Sequence, residues 1–312
     1  MSDRPQATEL FERAITYPDP DAQARLGRLV GLDDQKQRLA KVLGLLVNPA
    51  GLVAWSKRYH PDADQIMDLV LRRPPLVVLA GDVGSGKTEL AETIGDAVAR
   101  QEDIDVTLLP LSLSTRGQGR VGEMTRLLSA AFDHTIEAAE RLQSANGKAR
   151  GAVILLVDEA DAITQSREAA QMHHEDRAGV NAFIRGVDRI ASGRLPAAVI
   201  LCTNRLSSLD PAVRRRAADV LGFSRPDDGE RRAVLAPHLA ALGLKPGEVD
   251  AVVEASRPAK GREDGFTYSD IVQRLLPAIV LDAYPAGPVT GERAIEMARA
   301  LEPTPPFREG QP

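Results

Sequence analysis

Residues 81 to 88 read Gly-Asp-Val-Gly-Ser-Gly-Lys-Thr. Gly81, Gly84 and Gly86 allow the backbone to curl tightly, so that successive amide N–H groups point inward. With Asp82, Val83 and Ser85 between them, and Glu89 opening the next segment, these residues form an anion nest at a helix start. Lys87 adds a point charge for β- and γ-phosphates, and the Thr88 hydroxyl is placed to hold Mg²⁺. The chemistry implied is binding of a nucleoside triphosphate.

A second set lies downstream. Ala152–Val157 is apolar and ends in Asp158 and Glu159. Carboxylates at the C-terminal end of a buried strand sit where open α/β sheets bind ligands. Asp158 is the expected Mg²⁺ partner, and Glu159 the base that orients and polarises an attacking water. Asp161 completes the letters DEAD, which also mark helicases, but no other helicase motif follows. The next apolar run ends at Asn204, a polar tip able to sense the γ-phosphate or position the water; ordinary turn chemistry explains it equally in isolation. Soon after come Arg214, Arg215 and Arg216. An arginine here is placed to reach a neighbouring subunit's γ-phosphate, as transition-state charge supplied in trans, and that requires an oligomer. Which of the three does so stays open.

The elements that must position these groups alternate. Leu76–Ala80 reads as a buried strand before the glycine loop, and Glu89–Ile94 as a helix after it, which is the context this motif needs. Strands are expected at 76–80, 105–111, 152–157 and 197–202, with helices near 87–100, 122–143, 175–190 and 211–218. Their Val, Ile and Leu runs lack polar alternation, as strands covered on both faces do. From Arg225 onward the pattern is helical only. The expected organisation is a flexible leader at 1–24, a large α/β nucleotide-binding domain at 25–226, a small α-helical lid at 227–301 and a proline-rich tail at 302–312.

Bulk properties narrow the class. The chain has 312 residues, 43% hydrophobic and 27% charged, with a net charge of −5. Only 4% is aromatic, so stacking platforms for single-stranded nucleic acid are scarce. With no long basic run, a dedicated nucleic-acid surface is not expected. No apolar stretch reaches the length of a membrane span, and the first ten residues lack a signal-peptide core. The one cysteine, Cys202, excludes an intrachain disulfide and fits a cytoplasmic compartment. None of the five histidines sits at a zinc spacing, so no structural metal is expected.

Phosphate loop, Asp-Glu strand end, polar strand tip, arginine cluster and helical lid, in this order, resemble an AAA+ ATPase. Leu29-Val30-Gly31-Leu32 resembles the segment that packs near adenine in that family, which adds Val30 to the nucleotide set. Gly265–Ile271 resembles the opening of the lid helix. Within AAA+, Ala178–Ile190, Arg216–Asp219 and Leu275-Leu276-Pro277 resemble the pachytene-checkpoint (thyroid-receptor-interactor type) remodellers of HORMA-domain proteins, whose bacterial branch works in CBASS antiphage systems. The resemblance covers about residues 28 to 282. It implies a P-loop NTPase with a parallel β-sheet core flanked by helices and a small α-helical lid. It also implies ATP, ADP and Mg²⁺ as ligands and a homohexamer. Its client would be a HORMA-domain protein, bound or not to a cyclic-oligonucleotide synthase.

The family's pore loop aligns with Gly119–Met124, where Arg120 replaces the usual aromatic and would grip substrate together with Val121. Residues 166–177 align with a second pore loop, in which His173 and His174 either touch a threaded peptide or stay solvated. The lid sensor arginine of the relatives aligns with Ser269, and Arg274, one helical turn on, is the alternative. Two rivals remain at this point: a DNA-associated AAA+ ATPase, such as a helicase loader or transposition helper, and a nucleotide-switched scaffold.

Overall fold

The structure, a computed structural model, describes residues 10–11, 13–112, 122–143, 149–161, 174–207 and 209–306. The chain divides into two compact units. The first comprises Met1–Gly27, Asp34–Ala80 and Thr88–Gly222, and the second Arg28–Asp33, Gly81–Lys87 and Phe223–Pro312.

The first unit is built on a sheet of β1 (Ile15–Tyr17), β2 (Leu76–Gly81), β3 (Asp105–Ser112), β4 (Gly151–Asp158), β5 (Ala197–Thr203) and β6 (Asp219–Phe223). Their order across the sheet is β1-β3-β4-β5-β2-β6. The pairs β3–β4, β4–β5 and β5–β2 are parallel, with Leu155 opposite Val199 and Leu79 opposite Cys202. Every residue of β5 is buried, as are Gly151–Val157 of β4. That agrees with the unbroken apolar runs expected of doubly covered strands. Parallel order brings the C-terminal ends of β4 and β5 to one edge, so Asp158 and Thr203 finish on the same side.

The helices of this unit are α1 (Pro20–Arg28), α2 (Asp33–Val47), α3 (Ala50–Tyr59), α4 (Asp64–Leu71), α5 (Lys87–Glu102), α6 (Glu123–Leu142), α7 (His174–Gly193) and α8 (Pro211–Arg214). Phe132 of α6 and Phe183 of α7 meet edge to face at 5.6 Å in the main core. Gly186 permits this approach, since a Cβ there would lie 2.2 Å from the Phe132 ring. Each fully buried side chain of this size contributes roughly 1.5–3 kcal/mol.

Two expectations differ. Residues 15–24 do not form a loose leader: β1 pairs antiparallel with β3 and α1 follows it. Tyr17 is buried against Gly95 and donates its hydroxyl proton to the Glu92 carbonyl. The helix expected at 211–218 stops at Arg214, because the Ala218 N–H is taken by the Leu76 carbonyl and the chain turns into β6.

The second unit contains α9 (Asp228–Ala241), α10 (Pro246–Ala255), a π-helical turn (Asp270–Leu275), α11 (Leu276–Ala283) and α12 (Gly291–Ala300). A capping box between Asp227 and Glu230 starts α9. Leu235, Leu239, Val252, Phe266, Leu275 and Ala298 share its core. Residues 28–33 and the glycine loop 81–87 pack with this unit, across the boundary expected at 226. The tail is engaged too: Thr304 is bonded to Asp270 through both its N–H and its hydroxyl.

Candidate nucleotide site

β2 delivers the chain to Gly81, whose φ of 156°, together with the Phe223 carbonyl that would lie 1.9 Å from any Cβ there, admits only glycine. Gly84 and Gly86 follow with φ of 73° and 92°. The Lys87 ammonium, itself buried, donates to the carbonyl oxygens of Gly81 at 2.8 Å and Asp82 at 2.7 Å. Those bonds fix the charge on the inner rim of the loop. The Ser85 hydroxyl also donates to the Asp82 carbonyl, at 2.7 Å.

The rest of the second unit wraps this loop. Leu32 lies over Gly86, and Val30 packs on the lid core. Beside Val30, Gly31 has φ of 74° and sits under the Tyr268 hydroxyl and the Glu230 carboxylate. Burial, and then the Glu230 charge, raise the Tyr268 pKa, so the hydroxyl stays protonated and bonds Glu230. Ser269 donates its backbone N–H to the Gly84 carbonyl at 3.1 Å. Ser269 thus reaches the loop from the lid, whereas Arg274 is turned to Asp270 at 2.8 Å. The pair formed by Arg225 and Asp82, Nε to Oδ2 at 2.8 Å, was not anticipated from the sequence. Its partners lie 143 residues apart and carry no local pattern.

In the first unit Thr88, covalently next to Lys87, donates from Oγ1 to Asp158 Oδ2 at 2.9 Å. A hydroxyl and a carboxylate side by side are the hard oxygen donors that Mg²⁺ takes from protein, the rest of its shell being water and phosphate. The residues therefore fit a magnesium ion. Asp158 Oδ1 accepts the Glu159 N–H at 2.9 Å, and Glu159 has φ of 52° and an exposed side chain. An αL conformation at a non-glycine residue marks local strain of the kind found at functional sites.

Asn204 is held by Asp161, which accepts from its backbone N–H at 3.1 Å, from its side-chain amide at 3.3 Å and from the Thr203 hydroxyl. Asp161 is therefore a support for the strand tip, a role its place in the DEAD letters did not suggest. Glu89 lies in the first turn of α5, and its carboxylate accepts from Arg25 Nε and Nη2, both at 2.8 Å.

Of the arginines, Arg216 is forked onto Asp188 at 2.7 and 2.9 Å. Arg214 and Arg215 are exposed, with no side-chain partner among the described residues. Arg120, Val121 and His173 lie outside the described residues, as does the side chain of His174. Among the described residues no three His, Cys, Asp or Glu side chains converge as a metal cluster, and no single helix is long and apolar enough to cross a membrane.

The chain is similar to known proteins over most or all of its length. Residues 77–225 match the family described as "ATPase family associated with various cellular activities (AAA)". The chain is 64% identical over 311 residues to CD-NTase-associated protein 6 of Escherichia coli strain MS 115-1, covering 100% of both chains. It superposes with TM-score 0.90 and 63% identity on a chain of the E. coli MS115-1 HORMA:CdnC:Trip13 complex, covering 98% of this chain and 100% of that one. Rhizobiales Trip13 is similar at TM-score 0.73 and 55% identity, over 95% and 100% of the two chains.

Proposed function

We propose, for a chain that belongs to the AAA family of ATPases and to the CD-NTase-associated protein 6 group within it, that ATP hydrolysis drives remodelling or disassembly of a HORMA-domain protein complex in a cytoplasmic CBASS system. The observation that carries the enzymatic part is the Thr88–Asp158 contact directly after the Lys87 loop. The partner follows from similarity along the whole chain to a protein solved in a complex with HORMA and CdnC components.

Each residue has a defined task in this reading. Gly81–Gly86 present amide N–H groups to the phosphates, and Lys87 neutralises the β- and γ-oxygens. Thr88 and Asp158 would hold Mg²⁺, which when bound screens charge on the transferring phosphoryl group. Glu159 takes the proton of the attacking water, and Asn204, braced by Asp161, orients that water. Arg215 of an adjacent subunit in a homohexamer supplies charge to the γ-phosphate, while Arg216, tied to Asp188, sets the turn that aims it. Binding ATP and ADP with different affinity in two subunit arrangements turns hydrolysis into motion. Arg120 and Val121 are the proposed grip on substrate.

The test uses Glu159→Gln loaded with ATP as bait in the native host. Enrichment of a HORMA-domain protein supports the reading. Recovery of DNA-processing proteins without one replaces it with the DNA-associated alternative.

A further inference from the structure

We infer that Arg225 is a positioning residue for the phosphate loop, and that the C-terminal segment around Thr304 is a working arm of the nucleotide site. This deepens the proposed ATPase reading and rests on it.

The Arg225 guanidinium is only 13% exposed and its donors fan out to three separate segments. Nε donates to Asp82 Oδ2 at 2.8 Å, Nη1 to the Gly265 carbonyl at 2.6 Å and Nη2 to the Thr304 carbonyl at 2.8 Å. A rigid planar fork suits this better than any other side chain. The same Asp82 whose carboxylate holds Arg225 gives its carbonyl to Lys87 Nζ. One residue thus links the arginine to the ammonium that meets the phosphates.

Asp82 also sets an electrostatic problem. A carboxylate in the first turn of an anion nest repels phosphate, and at low exposure that repulsion is weakly screened. Arg225 cancels it. The loop therefore keeps its net attraction for a nucleotide through an arginine contributed from beyond β6.

Thr304 reaches the loop by two routes. Its carbonyl binds Arg225. Its N–H and hydroxyl bind the fully buried Asp270 at 3.0 and 2.7 Å. Asp270 in turn accepts the Thr267 N–H at 3.0 Å, and Thr267 packs on Gly84, where a Cβ would meet its hydroxyl at 2.8 Å. Every polar group of Thr304 is engaged, which a loose end would not require. By linkage, a tail that stabilises the nucleotide-binding loop must itself be held more firmly when nucleotide binds.

The experiment measures ADP affinity of the full-length protein at equilibrium, with amide hydrogen exchange at Thr304. Arg225→Met should weaken ADP about tenfold, as loss of a charge-assisted contact does. Adding Asp82→Asn should recover most of that loss, because the uncompensated carboxylate is gone. Arg225→Lys, which keeps the charge without the fork, should fall between. Thr304→Val should weaken ADP about threefold, and ADP should slow exchange at the Thr304 amide of the wild-type protein. A double variant weaker than Arg225→Met, or Thr304 exchange indifferent to ADP, overturns the inference while leaving the ATPase reading intact. Wild-type protein that binds no ADP removes both. Melting temperatures measured on each variant separate these results from simple misfolding.

Discussion

Thr88 and Asp158, 70 positions apart in the chain, meet with Oγ1 and Oδ2 at 2.9 Å. The pairing follows from two strand ends. Thr88 comes seven residues after Gly81, the last residue of β2, and Asp158 closes β4, with β5 between those strands in a parallel sheet. Asp158→Asn keeps the hydrogen-bonding shape and removes the charge. ATP turnover should fall at least about a hundredfold, and the Mg²⁺ concentration for half-maximal rate should rise. Turnover unchanged across a Mg²⁺ titration would take Asp158 out of the metal role.

Glu159 separates binding from chemistry. Its side chain is exposed at the strand end and its backbone is fixed by Asp158. Glu159→Gln should bind ATP normally while hydrolysis drops by about 10²–10⁴, the usual worth of a positioned general base. Filter binding and phosphate release on the same preparation decide it. Loss of both together would mean that Glu159 supports the loop instead.

The arginine cluster is asymmetric, since Arg216 is committed to Asp188 and Arg215 is exposed. Arg215→Ala should lower turnover by about 10³ or more, the scale of a finger supplied in trans. Arg216→Ala should cost less, because the fork to Asp188 is a partly exposed pair. Mixing Arg215→Ala with Lys87→Ala subunits should restore some activity, as sites with an intact loop meet an intact arginine. No recovery in mixed assemblies would place the arginine's action within its own subunit.

What could be read from the sequence was whatever left a local signature. The loop, Asp158, Glu159 and the four central strands did so, through glycine spacing and apolar runs. Strand β1 did not, since three residues, Ile15–Tyr17, carry no periodicity and are held by partners in β3 and α5. The short β6 was missed for the same reason. Arg225 with Asp82 and Thr304 with Asp270 are ties over 143 and 34 residues, and each side chain taken alone reads as an ordinary solvated group. Asp161 sits in a familiar run of letters, but its bracing role rests on contacts with Thr203 and Asn204, 42 and 43 residues further on.

Packing in the first unit gives a stability test remote from the nucleotide. A Cβ at Gly186 would fall 2.2 Å from the Phe132 ring, and Phe132 is locked edge to face with Phe183. Gly186→Ala should destabilise by about 1–3 kcal/mol through overpacking, despite alanine's better helix propensity. Chemical denaturation of the variant reads this directly. A gain in stability would mean that α6 and α7 have room to part.

Asp270 links acid sensitivity to the tail. Burial acts to raise its pKa, but hydrogen bonds from Thr267, Thr304 and Arg274 outweigh that and hold it below the ordinary carboxylate value. On acidification the unfolded chain therefore takes up this proton first. The stabilisation is complete above the unfolded-state pKa and is lost as pH falls through the lower folded-state value. Asp270→Asn should cost about 2 kcal/mol at neutral pH, since charge-assisted bonds to Thr304 and Arg274 are weakened. The gap in melting temperature between wild type and variant should then narrow as pH drops below the ordinary carboxylate range. A gap that stays constant down to the acid limit would show that shape, not charge, is what Asp270 contributes to holding the tail.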